Sequence, residues 1–173
     1  MAGINFYGYN TCQTITESAL FGVIDDGLGA PVRATEDASE KWGACIHNPQ
    51  KKELLVLPVD KNVPVKKKDN TGNEEKLCDF LMRSYRSDGF LFFIELKEKR
   101  KSPLGDASKQ LGSTIIRYKE YHNVELIQYK RAYITNGLHD RVNYSQANKL
   151  SAFRRTYGFV LFMTGKIKTP VFG

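Results

Sequence analysis

Residues 90–98, FLFFIELKE, constrain the fold more than any other part of the chain. In an extended strand successive side chains point to opposite faces, so Phe90, Phe92, Ile94 and Leu96 fall on one side, Leu91 and Phe93 on the other. A strand that is apolar on both sides must be covered on both sides, which is the position of a central strand in an α/β sheet. Residues 85–89, with Ser, Asp and Gly turn chemistry, separate it from a second strand-like segment, 76–84 (KLCDFLMRS), and the two read as a β-hairpin.

Around this hairpin the chain alternates. Residues 53–59 (ELLVLPV) read as a strand ended by Pro58, and 61–75, with its Pro, Gly, Asn and Lys triplet, as an exposed connection. Residues 36–47 read as a short helix that Thr35 can cap, with Ala38, Trp42 and Ile46 spaced by four. Residues 14–24 mix β-branched residues with an apolar run and fit either a helix or a strand. Beyond a basic connection at 98–104, Asp106 can cap a helix over about 107–122. Its inward face would be Ala107, Leu111, Thr114, Ile115, Tyr118 and His122, leaving Lys109, Arg117 and Glu120 outward. Residues 130–135 read as a strand, 141–155 as a helix and 157–164 as a strand. The central order strand, strand, strand, helix, strand predicts an α/β domain with a mixed sheet flanked by helices, and 173 residues suit a single domain.

Several classes drop out. A chain 41% apolar and 26% charged can bury a core and is not disordered. The longest apolar run, 90–94, is far short of the roughly 20 residues a membrane span needs, and residues 1–10 lack the basic start and apolar core of a signal peptide. The expectation is a cytoplasmic protein with no membrane partner. Cys12, Cys45 and Cys78 are odd in number and form no CxxC pair, so they read as reduced thiols, and His47, His122 and His139 share no ligand spacing. With no Gly-rich phosphate loop, nucleophile elbow or paired metal histidines, a small-molecule enzyme ranks last.

Charge is unevenly spread. Residues 1–60 hold four Lys and Arg against eight Asp and Glu, a net of −4, whereas 61–173 hold 22 against 11, a net of +11. No acid follows Asp140, while Arg154 and Arg155 sit among aromatic residues. Such a region attracts polyanions, and Lys and Arg neutralising phosphates are the sequence-independent part of nucleic-acid affinity. Lys66–68 and Lys99, Arg100 and Lys101 are further candidates for phosphate contact, as is Lys109.

Three residues are out of character in the apolar hairpin: Asp79, Glu95 and Lys97. Glu95 and Lys97 share a face, about 7 Å apart at roughly 3.3 Å per residue. A turn centred on Ser87 places Asp79 directly opposite Glu95, and slipping the register by one residue would separate them. Two carboxylates side by side in an apolar sheet repel and lose hydration unless a cation joins them. Oxygen ligands suit Mg²⁺ or Mn²⁺, which keep coordination positions for water and a phosphate oxygen. Lys97 would stabilise developing phosphorane charge as an ammonium, or orient or deprotonate the water as an amine. The set points to phosphodiester hydrolysis. The competing structural reading is a cross-strand Asp79–Lys97 ion pair with Glu95 toward solvent.

Asp79, then Glu95-Leu96-Lys97 across a hairpin, then a helix, resembles the PD-(D/E)xK nuclease superfamily over roughly residues 36–136. The resemblance implies a restriction-endonuclease-like αβββαβ core, metal ligation by Asp79 and Glu95, and a catalytic Lys97. It also implies a role for Gln110, because branches of that superfamily carry a Gln on the helix after the third strand. Many members add a Glu from the first helix; Glu40, Glu36 and Glu17 compete for that place, with Glu40 favoured. The residue before Asp79 is Cys78 where the superfamily often has proline. The expected function is a Mg²⁺- or Mn²⁺-dependent nuclease, with DNA favoured over RNA because most such proteins act on it, in restriction, defence, repair or recombination. It would act as a homodimer or within a larger complex. The alternative is a silent module of the same fold that binds nucleic acid or a partner protein without cutting.

Overall fold

The structure, a computed structural model, describes residues 4–27, 32–68, 71–97, 104–136 and 144–172. Among them are ten strands and two helices: β1 (Thr14–Thr16), β2 (Leu20–Ile24), β3 (Arg33–Thr35), β4 (Ala44–His47), β5 (Leu54–Pro58), β6 (Phe80–Ser84), β7 (Phe90–Lys97), α1 (Leu104–Lys119), β8 (Tyr129–Asn136), α2 (Tyr144–Tyr157), β9 (Val160–Met163) and β10 (Lys166–Lys168). They form a mixed α/β architecture with a six-stranded sheet in the order β1-β5-β6-β7-β8-β9 and a four-stranded sheet in the order β10-β4-β2-β3. β6 runs antiparallel to both β5 and β7, and β8 and β9 run parallel to β7.

β7 lies in the interior of the larger sheet, as its two apolar faces require. Leu91 and Phe93 join a core with Leu81, Leu57 and the inward side of α1, Leu104, Ala107, Leu111, Ile115 and Tyr118. Phe90, Phe92 and Ile94 join a second core with Phe80, Met82, Val56 and, from the smaller sheet, Phe21, Val23, Ile46 and Ile167. The large sheet is thus covered by helices on one face and by the small sheet on the other. Pro58 is accommodated because the hydrogen-bonded pairs of β5 with β6 fall on odd positions such as Val59. The missing donor of Pro58 therefore points away from β6, past the end of β1, which pairs only with Leu54–Val56.

Three expectations are corrected, on 36–47, Arg117 and Asp106, and one open choice is resolved. Residues 36–47 are not a helix: a turn follows β3 and the chain enters β4, which is bonded to β2 on one side and β10 on the other. Ambiguous 14–24 resolves into two strands, β1 and β2. Arg117, expected outward, is buried against Glu75, with Nε 2.6 Å from Oε2. α1 starts at Leu104, so Asp106 is its third residue and not its cap. No described helix is long and apolar enough to cross a membrane.

Candidate functional site

β6 pairs with β7 as Phe80↔Ile94, Leu81↔Phe93, Met82↔Phe92 and Arg83↔Leu91, the register of a turn centred on Ser87. One step further along this ladder Asp79 faces Glu95, and parity puts both on the α1 side with Leu81 and Phe93. Asp79 precedes the first residue of β6, and its backbone carbonyl accepts from Val59 N at 2.8 Å. Its side chain turns toward β7, where Oδ2 accepts from Leu96 N at 2.6 Å. The site therefore lies at the edge where β5 and β7 end and β6 begins, outside the carboxyl end of β7, the usual place for ligands in sheets of this class.

Glu95 is only 1% exposed. Its Oε1 lies 2.6 Å from Lys97 Nζ, while its Oε2 is buried without a hydrogen-bond partner. Lys97 also donates to Gln110 Oε1 at 3.0 Å, and Gln110 Nε2 reaches Leu77 O at 3.3 Å. Thr114 ties the same helix to the strand entry, donating to Gln110 O and accepting from Cys78 N, both at 2.8 Å. The cross-strand Asp79–Lys97 pair with a solvated Glu95 is not what forms: Lys97 sits on Glu95, and Glu95 is inside.

Burial raises both carboxyl groups above the ordinary carboxylate range. For Asp79 the Leu96 N–H opposes that push, and the charges of Asp25 and Asp60 add to it. For Glu95 the next largest cause after burial is the charge of Asp79, with Lys97 opposing. A carboxylate pair held up in this way, with one oxygen orphaned, suits a divalent cation, which would replace the lost hydration and cancel the repulsion. Asp79 and Glu95 are the residues that could hold it, Glu95 through the Oε2 that no hydrogen bond satisfies. Among the described residues there is no group of three or more His, Cys, Asp or Glu side chains that could hold a metal ion, so Asp25 and Asp60 act on the pair through their charge.

The other candidates divide clearly. Glu40 is corrected: it lies in the turn between β3 and β4, bound by Arg33 and Thr35, and Arg33 holds its carboxyl down at about 2. The acids that act on Asp79 are instead Asp25, at the end of β2, and Asp60, just past β5. Asp25 Oδ1 also accepts from Gly27 N at 2.9 Å, a local turn contact. Asp60 had one signal, an acid closing the apolar run ELLVLPV, next to the residue that pairs with Asp79. Cys78 is fully buried in the α1-side core with Leu77 and Leu81. Lys99, Arg100 and Lys101 lie outside the described residues. Lys109 and Gln110 line a groove that begins at Lys97, whereas Arg154 and Arg155 are exposed in the last turn of α2.

The chain matches no protein-family model, no curated protein and no solved structure in comparisons with each.

Proposed function

We propose that this chain is a metal-dependent nuclease that hydrolyses phosphodiester bonds, with DNA the favoured substrate. The observation that carries this reading is Glu95: a carboxylate in the sheet interior, one oxygen on Lys97 and the other on nothing, with Asp79 beside it. An ordinary structural ion pair has no use for the orphaned oxygen or the second acid. Support also comes from the order β5-β6-β7-α1-β8, three antiparallel strands followed by a helix and a parallel strand. That order is the one a βββαβ portion of such a nuclease core would have, while residues 36–47, expected as the first helix, form a turn and β4 of the small sheet.

Mg²⁺ or Mn²⁺ held by Asp79 and Glu95 would polarise a phosphoryl oxygen and acidify its bound water. The roles of the remaining residues follow from their contacts. Lys97 donates to a carboxylate and to an amide oxygen, an arrangement that suits an ammonium better than a free amine, so it stabilises the charge developing on the phosphorus oxygens. Gln110, anchored on Leu77 O, fixes where that ammonium sits. The Leu96 N–H fixes one oxygen of Asp79 and so aims the other.

Purified protein incubated with DNA or RNA should cut only with Mg²⁺ or Mn²⁺ and not in EDTA. Asp79→Ala and Lys97→Ala should each lower the rate by about 10²–10³-fold with circular dichroism unchanged. Undiminished cutting by either folded variant would remove these residues from the chemistry, and binding without any cutting would favour the silent module.

A further inference from the structure

Beyond the acidic pair, a groove of about 850 Å³ opens from Lys97 and Gln110 and follows the outer stripe of α1. Its opposite wall is formed by Lys67, Lys68, Glu74, Glu75 and Lys76, held in place by the Lys66–Glu74 bridge and by Arg117, which bonds both Glu75 and the carbonyl of Lys66. Six cationic residues line it, Lys67, Lys68, Lys76, Lys97, Lys109 and Arg117, against the acids Glu74, Glu75 and Asp106. These acids do not neutralise the cations evenly. Glu75 is engaged by Arg117, and Lys68 by Glu120 outside the lining. Asp106 reaches Lys109 only at 4.0 Å, with both side chains more than four-fifths exposed, where an ion pair is worth little. Lys67, Lys76 and Lys109 are therefore exposed cations along one channel that also includes Lys97, the partner of Glu95.

The lining also lacks something. Its only apolar residue is Ile116, and none of the described lining residues is aromatic. Single strands are usually held by aromatic platforms on which bases stack; a channel of lysines without a platform reads phosphate and not bases. Resting on the nuclease reading above, we propose that this groove seats the phosphate backbone of a double-helical nucleic acid, through Lys67, Lys76 and Lys109, and delivers it to Lys97 without base readout.

The test is equilibrium binding in EDTA, where cutting is blocked, using a fluorescent 20-base-pair DNA duplex, the corresponding single strand and a duplex of unrelated sequence. The wild-type protein should bind both duplexes alike and the single strand more weakly. The Lys67→Glu/Lys76→Glu/Lys109→Glu variant, shown folded by circular dichroism, should lose at least about tenfold in duplex affinity. Its plot of log affinity against log salt should be shallower by about 2–3 than that of the wild type. An RNA duplex bound with the same loss in the variant supports the same backbone contact. Wild-type affinity and slope in the variant, or a single strand bound more tightly than the duplex, would overturn the proposal. Metal-dependent cutting that survives such a result would leave the nuclease reading standing, whereas lysine-dependent duplex binding by a protein that never cuts would sink that reading and keep the groove.

Discussion

Glu95 carries the sharpest consequence at the scale of a single residue. Burial and the charge of Asp79 make its ionised form costly in the metal-free protein, and Lys97 offsets only part of that cost. The folded protein consequently holds a proton to higher pH than the unfolded chain, so the associated stability is complete below the ordinary glutamate range. It is lost as pH climbs from there toward neutrality and beyond. Glu95→Gln keeps the shape and an acceptor for Lys97 while removing the charge. In EDTA at neutral pH or above it should be more stable than wild type, by about 1–2 kcal/mol, since each tenfold displacement of the proton equilibrium is worth about 1.4 kcal/mol. It should also flatten the fall of stability with pH and abolish stabilisation by added Mg²⁺ or Mn²⁺. A Glu95 that merely braces Lys97 would instead make the variant less stable; thermal unfolding with and without metal distinguishes the two. The Asp79–Glu95–Lys97 alignment was readable from parity and a turn centre alone. Asp25, Asp60 and Cys78 were not, because their approach to the pair depends on how separate strands end, which no local spacing encodes.

At the scale of elements, the segment between β3 and β4 shows where periodicity misleads. Ala38, Trp42 and Ile46 repeat every four residues, yet they do three different jobs. Ala38 lies in an exposed turn, Ile46 enters the core between the sheets, and the Trp42 ring lies flat across Gly22 of β2. A Cβ on Gly22 would meet that ring at 2.1 Å, so a strand–indole contact, invisible in either segment alone, decides the conformation. Gly43 permits a further close approach, to Leu96 and to Val23 O. Long-range pairing of β4 with β2 and β10 outweighs a local helical pattern. Gly22→Ala should lift Trp42 off the sheet and cost about 1–3 kcal/mol. Trp42 is the only tryptophan of the chain, so its emission should move to the red in the folded variant; an unchanged spectrum and midpoint would mean that the contact contributes nothing.

Across the whole molecule, the central strand was legible because covering both faces of β7 demands apolar residues at every position, and that demand is written in consecutive letters. What covers each face was only half legible. The α1 side announced itself through its 3.6-residue stripe, but the other side is a sheet assembled from β2, β3, β4 and β10, in which β10 and β4 pair residues 121 positions apart, Lys166 with Cys45. The charge asymmetry also acquires a spatial meaning: the acidic early chain supplies Asp25 and Asp60 to one flank of the site, and the basic later chain supplies the lysine groove leading to Lys97. The central claim is that Asp79 and Glu95 are built to share a cation at the junction of these two regions. Crystals soaked in Mn²⁺ test it most directly. An anomalous difference peak about 2.1 Å from an oxygen of each carboxylate, with Glu95 Oε2 among the ligands, is the expected result. Manganese sites only elsewhere on the protein, with Glu95 still bonded to Lys97 alone, would contradict it.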